Sequence, residues 1–325
     1  MTSTQPLSIE DSTISQVWPK APDEPRIKLL RTLKGAEDLV DKKNRKNRLF
    51  GWLTGEMTEQ IPLVSPYGIA SDGDGTIWIT DPGAHAVHVL DLKRRTGKFW
   101  TLAGSEFFSS PTGICYDAAR KRIYVADSVA NKIIVLSEQG KFLSELSPDP
   151  TFGRPGGLAL DSLGNLLVAD VLDGKIRRFS PDGAELRAFG SPTTSSGLFN
   201  RPIGLTVDDK DMIYVIDSLN FRIEVLNRDG SAVGTIGELG DRPGTLSRPR
   251  GVAVDSYGHV YIADAAFDNI QVFNLKGQLL LVFGGDGESG LSMPASLFSD
   301  SQDRIYAVDS FNHQIQIYQF LGRVD

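Results

Sequence analysis

The stretch RIYVADSVANKIIVL at residues 122–136 has the pattern of a β-hairpin: an apolar strand, a polar turn and a second apolar strand. Closely similar stretches recur along the chain, namely LLVADVLDGKIRRF at 166–179, IYVIDSLNFRIEVL at 213–226 and VYIADAAFDNIQVF at 260–273. A strand-type pattern that returns at this interval indicates a repeat architecture built from near-identical units.

A second motif lies just upstream of each hairpin, with proline in first place, glycine in third and aspartate in seventh. It occurs as PYGIASD (66–72), PTGICYD (111–117), PGGLALD (155–161), PIGLTVD (202–208), PRGVAVD (249–255) and PASLFSD (294–300), where Ser296 replaces the glycine. The prolines are spaced by 45, 44, 47, 47 and 45 residues. Each unit has room for four short antiparallel strands, so six units predict an all-β, six-bladed β-propeller.

The two ends of the chain predict how the ring closes. The last unit ends before its fourth strand, and the strand-like segment RIKLLRTLKG (26–35) precedes the first unit. We predict that this segment completes blade six, because an open sheet edge would leave backbone groups unpaired. The predicted organisation is a flexible tail over 1–22 and one propeller over 23–325. An insertion at 36–63 lies on its top face, which carries the loops preceding each proline.

Composition narrows the class of protein. The 325 residues are 40% hydrophobic and 23% charged, as expected of a core-forming chain, and the net charge of −7 argues against binding to nucleic acid. Cys115 is the single cysteine, so no disulfide can form within the chain. No apolar run reaches the roughly 20 residues of a membrane span, and the N-terminus has no signal-peptide pattern.

The repeat resembles the NHL-repeat family, most clearly in PRGVAVDSYGHVYIAD (249–264) and DSLNFRIEVL (217–226). The resemblance implies a scaffold whose members include binding platforms, receptor sensor domains, RNA readers and a few lyases. The segment VWPKAPDEPRIKLL (17–30) is similar to the lead-in of bacterial six-bladed members that are often exported or lipid-anchored. An exported location, with a leader removed, is therefore slightly favoured over the cytoplasm.

A second aspartate closes the second strand of every unit. We predict that each carboxylate accepts backbone N–H groups in its own turn, and that opposite carboxylates are too far apart to share one metal ion. No metal or cofactor is predicted from these residues, which are Asp81, Asp127, Asp170, Asp217, Asp264 and Asp309.

Two histidines are the candidate catalytic residues. His85 and His313 occupy the same place in the first and last units, which are neighbours in a closed ring. The zinc-dependent amidating lyase that the scaffold resembles uses three convergent histidines with a supporting Tyr and Arg. Here His88 is predicted within a strand and His259 on the opposite face, so two histidines are available on one face.

A calcium-dependent hydrolase of the six-bladed lactonase type is a further class that the scaffold resembles. Such enzymes place acidic and amide residues where the inner strands open onto the channel. The corresponding positions follow each proline directly and carry neither group, which argues against a central metal: Tyr67, Thr112, Gly156, Ile203, Arg250 and Ala295.

The top face also carries a candidate binding surface. Arg154, Arg201 and Arg248 precede the prolines of units three to five, and Arg250 follows the last of them. The insertion predicts a short amphipathic helix over 41–53, with basic residues at 42–48 and an apolar part that includes Phe50 and Trp52. Turn asparagines complete the predicted surface: Asn131, Asn220 and Asn312.

From these features the sequence favours a non-catalytic binding platform that presents its top-face loops to a protein or peptide partner, as a subunit of an envelope or multiprotein complex. The alternative is a lyase or hydrolase at the channel mouth, working through His85, His313 and arginines such as Arg248. The second alternative is single-stranded RNA binding, against which the net charge argues.

Overall fold

The computed structural model describes residues 6–39, 62–146, 149, 151–190, 199–285 and 290–322. Five four-stranded antiparallel sheets and one five-stranded sheet form the blades of a six-bladed β-propeller, which confirms the predicted fold class. Among the described helices none is both long enough and apolar enough to span a membrane.

The strands follow one another through the blades in chain order. The N-terminal part contains β1 (Val17–Trp18), β2 (Ile27–Leu33) and a 3₁₀-helix (Ala36–Leu39). Blade one contains β3 (Gly68–Ser71), β4 (Thr76–Asp81), β5 (Ala86–Asp91) and β6 (Thr96–Trp100), followed by a small hairpin of β7 (Leu102–Ala103) and β8 (Glu106–Phe107). Blade two contains β9 (Pro111–Asp117), β10 (Arg122–Asp127), β11 (Lys132–Ser137) and β12 (Phe142–Leu146).

The remaining blades repeat this order. Blade three contains β13 (Pro155–Leu160), β14 (Leu166–Asp170), β15 (Lys175–Phe179) and β16 (Glu185–Phe189). Blade four contains β17 (Pro202–Val207), β18 (Ile213–Asp217), a 3₁₀-helix (Ser218–Asn220), β19 (Arg222–Leu226) and β20 (Ala232–Ile236). Blade five contains β21 (Pro249–Val254), β22 (Val260–Asp264), β23 (Asn269–Phe273) and β24 (Leu279–Phe283), and blade six begins with β25 (Pro294–Ser299), β26 (Arg304–Asp309) and β27 (Gln314–Phe320).

The core lies between the blades. The middle strands are apolar on both faces, so each blade has to cover both faces with its neighbours. Among the described residues, the buried side chains form six clusters, one at each interface between adjacent blades. The cluster that joins Tyr306 and Val308 of blade six to Ile69 and Ile77 of blade one closes the ring.

The glycine in third place of the repeat is required where inner strands approach each other at the axis. A Cβ atom on Gly113 would lie 2.1 Å from the carbonyl oxygen of Gly156, and one on Gly68 would lie 2.2 Å from that of Thr112. Both distances are far below contact distance, so any side chain here would push neighbouring inner strands apart.

Strand β2 closes the ring as predicted. It pairs antiparallel with β27, from Ile27 opposite Phe320 to Leu33 opposite Ile315. Strand β1 then pairs with β2 and adds a fifth strand to blade six, which the sequence did not indicate.

Strand β1 lies in the segment for which we predicted a flexible tail. Trp18, at its end, is 6% exposed and packs against Phe283 and Tyr318 with ring centroids 5.7 and 5.8 Å away. Further upstream, the backbone N–H of Asp11 donates to the carbonyl oxygen of Leu30 at 2.8 Å. The described part of residues 1–22 thus contacts the blades, and the domain boundaries remain a prediction. The predicted helix over 41–53 lies outside the described residues.

Substituting Gly113 tests the close approach at the axis. We expect Gly113→Ala to lower the free energy of unfolding by about 1–3 kcal/mol or more, because the added methyl group overlaps the backbone of the next blade. Gly234→Ala is the matched control, since a Cβ there has no atom within 4 Å, and we expect it to change stability by less than about 1 kcal/mol. Urea unfolding measures both, and equal stability of the two variants would contradict the packing described.

Candidate functional site

A cavity of about 270 Å³ occupies the central channel and is lined by the inner strand of every blade. Tyr67 of blade one and Arg250 of blade five lie in its wall at the position directly after the proline. Blade six separates these two blades and contributes the small side chain of Ala295 at the same position. Of the six positions that the sequence predicted, Tyr67, Ile203, Arg250 and Ala295 line the cavity, whereas Thr112 and Gly156 are not among its lining residues. The sequence did not indicate Tyr67 as a site residue.

Two residues further along each inner strand, the cavity wall is apolar. These residues are 4–7% exposed, and they form an aliphatic ring beneath the mouth: Ile69, Ile114, Leu158, Leu205, Val252 and Leu297. Cys115 also lines the cavity, and burial raises the pKa of its thiol, which disfavours the reactive thiolate. The lining also includes the polar residues Tyr116, Thr206 and Ser299, but Arg250 at the top mouth is its charged residue.

Arg250 is the charged group of this mouth. Its side chain is partly buried, and burial lowers the pKa of the guanidinium. The Tyr67 side chain raises the pKa of Arg250, whereas the positive charge of Arg248 lowers it further. These influences show that the three side chains are close enough to interact electrostatically. Arg250 forms no ion pair with any described residue.

The other predicted arginines lie at the rim. Arg154, Arg201 and Arg248 are exposed and precede the prolines of three consecutive blades. The backbone N–H groups of Arg154 and Arg248 donate to Asp170 and Asp264, each at 2.9 Å. The chain at the rim is therefore held in place while the guanidinium groups remain exposed.

The six aspartates that close the second strands are buried, with exposures of 0–2%. Each accepts at least one backbone N–H from the segment before its blade's proline. The donors are Val64 and Ser65 to Asp81, Ser109 and Ser110 to Asp127, Gly153 and Arg154 to Asp170, Asn200 to Asp217, Ser247 and Arg248 to Asp264, and Ser292 to Asp309. These carboxylates tie the top-face loops to the blades.

Asp81 differs from the others because a buried histidine faces it. The Nε2 atom of His88, on β5, lies 3.5 Å from an Asp81 oxygen, and His88 is 4% exposed. Burial by itself would raise the pKa of Asp81. The nearby His88 and the hydrogen bonds from the amides of Val64, Ser65 and Ala84 outweigh burial and lower that pKa.

The two candidate catalytic histidines occupy equivalent turns. His85 and His313 are exposed and have φ values of 51° and 54°, in the left-handed region. The Nδ1 atom of His85 lies 2.8 Å from the carbonyl oxygen of Ser109. Asn131 and Phe221 hold the same left-handed position in blades two and four. The position is thus a turn position that accepts several residue types.

The four histidines of the chain do not form a three-histidine zinc site. His88 faces Asp81 inside blade one. On the opposite face, the Nδ1 atom of His259 is hydrogen-bonded to a carboxylate oxygen of Asp255 at 2.8 Å. His85 and His313 are then the remaining pair on the top face. In the part of the chain that the structure describes, no cluster of three or more His, Cys, Asp or Glu side chains could hold a metal ion. The zinc chemistry implied by the amidating-lyase resemblance therefore does not fit these residues.

The remaining predicted surface residues belong to local turns. Asn220 and Asn312 donate to Asp217 and Asp309 at 2.7 and 2.9 Å, so their side chains complete the aspartate-bonded turns. Asn131 takes the left-handed position just described. Phe50 and Trp52 lie outside the described residues.

Comparisons with known proteins agree with this fold. The family model described as SMP-30/Gluconolactonase/LRE-like region matches residues 70–199. The virginiamycin B lyase from Staphylococcus aureus superposes with a TM-score of 0.60 at 16% identity, covering 91% of this chain and 100% of that one. The chain thus carries an NHL-like repeat region in a six-bladed β-propeller, and the predicted resemblance is confirmed.

Curated relatives match over shorter stretches. Mouse peptidyl-glycine alpha-amidating monooxygenase is 31% identical over 137 residues, which is 37% of this chain and 14% of that protein. A probable peptidyl-alpha-hydroxyglycine alpha-amidating lyase of Caenorhabditis elegans is 25% identical over 150 residues, or 40% of this chain and 42% of that protein. The chain thus spans less than half the length of these relatives.

The comparisons correct the predicted function. The prediction of a non-catalytic platform for a protein or peptide partner is wrong, because the curated relatives that this chain matches are named as enzymes. They agree better with the lyase alternative at the channel mouth. The platform was inferred from the broad preformed surface of a propeller and from the lack of a recognisable arrangement of nucleophile, base and orienting group in the sequence.

The Asp81 carboxylate provides a test by pH. Because its pKa is lowered in the folded state, its contribution to stability is present above the ordinary carboxyl pKa of about 3.9 and is lost as the pH falls through the lower folded value. We expect Asp81→Asn to be less stable than wild type by about 1–3 kcal/mol at pH 7, with the difference shrinking below about pH 4. Asp74→Asn, at an exposed ion pair with Lys93, is the control and should change stability by less than about 1 kcal/mol. Denaturant unfolding across this pH range measures both, and a pH-independent difference for Asp81→Asn would contradict the assignment.

Proposed function

We propose that the protein is an enzyme of the lyase class and that its substrate binds in the top mouth of the central channel. The observation that carries the proposal is Arg250, a partly buried guanidinium in the cavity wall without a carboxylate partner among the described residues. The names of the curated relatives support the reaction class.

The chemistry of the mouth fits charge stabilisation during bond cleavage. When a lyase breaks a bond beside a carbonyl group, negative charge develops on the carbonyl oxygen. A fixed guanidinium in a site of low polarity stabilises that charge more strongly than water does. The hydroxyl group of Tyr67, in the same wall, is a hydrogen-bond and proton donor for the substrate.

The aliphatic ring beneath the mouth also supports binding of a substrate beside Arg250 and Tyr67. It gives the substrate an apolar floor and lowers the local polarity around Arg250. Substrate and product would then enter and leave on the top face, where the rim arginines lie.

Two substrates named in the relatives and structural neighbours test the proposal: a peptidyl-alpha-hydroxyglycine and a streptogramin B. We expect mass spectrometry to detect cleavage of one of them by the purified protein. Arg250→Gln should lower kcat/KM about 10²- to 10³-fold, because a donor to the developing charge is lost. Tyr67→Phe should lower it as well.

Arg228→Gln is the matched control for this assay. Arg228 lies on the opposite face, 3.5 Å from Asp211, and we expect its loss to leave kcat/KM unchanged. Full activity of Arg250→Gln would show that the reaction occurs elsewhere. Failure to cleave either substrate would contradict the proposal that the protein is a lyase for these two classes of substrate.

A further inference from the structure

The arginines of the top mouth differ from those of the opposite face in their partners. On the opposite face arginines are paired with aspartates, namely Arg304 with Asp300 at 2.6 Å, Arg178 with Asp161 at 3.5 Å and Arg228 with Asp211 at 3.5 Å. At the top mouth, by contrast, no ion pair with a described residue is formed by Arg154, Arg201, Arg248 or Arg250.

A shortage of acidic residues does not explain this difference. The chain has 41 acidic and 34 basic residues. Glu238 and Asp241 are exposed on the loop that leads to β21, and neither forms an ion pair with these arginines. The nearer carboxylates Asp170 and Asp264 are buried and accept backbone N–H groups instead. Positive charge is therefore left uncompensated at the mouth, and in a partly buried position such as that of Arg250 this has a free-energy cost.

The uncompensated charge lies on one side of the mouth. Blades three, four and five carry arginine before their prolines, whereas the same position holds Ser65, Ser110 and Met293 in blades one, two and six. Arg250 lies on the arginine side, and Tyr67 lies in blade one, where serine precedes the proline. Among the described residues that precede the prolines, a substrate in the mouth would thus meet arginines on one side and uncharged residues on the other.

We infer that the substrate carries an oxyanion, a carboxylate or a phosphate, which is bound by Arg250 in the cavity and Arg248 at its rim. The inference rests on the proposed function for its location and adds the substrate class. The planar guanidinium group matches the geometry of both oxyanions through paired N–H donors. Arg154 and Arg201 extend the positive potential around the rim and attract the anion towards the mouth. The uncharged part of the substrate is then directed towards Tyr67.

Calorimetric titration with inorganic phosphate and with succinate tests this inference without any turnover. We expect wild-type protein to bind at least one of them saturably and more weakly as NaCl is raised. A preference for phosphate or for succinate identifies which oxyanion the site accepts. Arg250→Gln should weaken binding about tenfold or more, and Arg248→Gln about threefold. Arg228→Gln should bind as wild type does.

Thermal unfolding of each variant checks folding. Removing an unpaired charge should leave the Tm of Arg250→Gln equal to or above that of wild type. If that variant does not fold, Arg248→Gln and the salt dependence of wild-type binding decide the outcome. Absence of binding of both anions to wild type, or equal affinities in all variants, would overturn the inference. Binding that depends on Arg250 in a protein without lyase activity would support the inference and reject only the proposed function.

Discussion

The close approach of six inner strands at the axis is the constraint on which this structure depends. The carbonyl oxygen of Gly156 in blade three, for example, occupies the space that a Cβ atom on Gly113 of blade two would fill. The blades can therefore pack face to face, and each interface between neighbouring blades has its own apolar cluster. A cavity of about 270 Å³ remains at the axis, and among the residues that line it Arg250, at the start of an inner strand, is the charged one.

The buried aspartates connect this frame to the candidate site. Each one binds the backbone of the segment that leads to its blade's inner strand, and in blades three and five the bound amide belongs to a rim arginine. The aspartates, which occur in every blade, thus position the rim arginines, which occur in only some of the blades. The fixed backbone reduces the conformational entropy that these loops would lose on binding a ligand.

The sequence contains most of the information needed for the fold, because the features that build it recur. Proline, glycine and aspartate at constant spacing predict the inner strands, and the strand-like segment at 26–35 predicts a closing strand that the structure shows at Ile27–Leu33. Strand β1 was missed because two residues at a sheet edge carry no repeat signal, although the buried Trp18 is a sign of packing. The site was predicted in part. The positions that open onto the channel follow from the repeat, but the absence of a partner for Arg250 depends on loop conformations that no periodic pattern describes.

The pairing of β2 with β27 has a consequence for how the chain is made. Ile27 pairs with Phe320, so the closing strand leaves the ribosome long before its partner exists. At the usual speed of translation, about 5–20 residues per second, this interval is roughly 15–60 s. During that time β2 exposes an apolar face and an unpaired edge, and the growing polypeptide resembles an open, curved stack of sheets. Completion of the ring therefore has to wait until Phe320 has been made, and the nascent chain is most exposed to aggregation and to chaperone binding before that point.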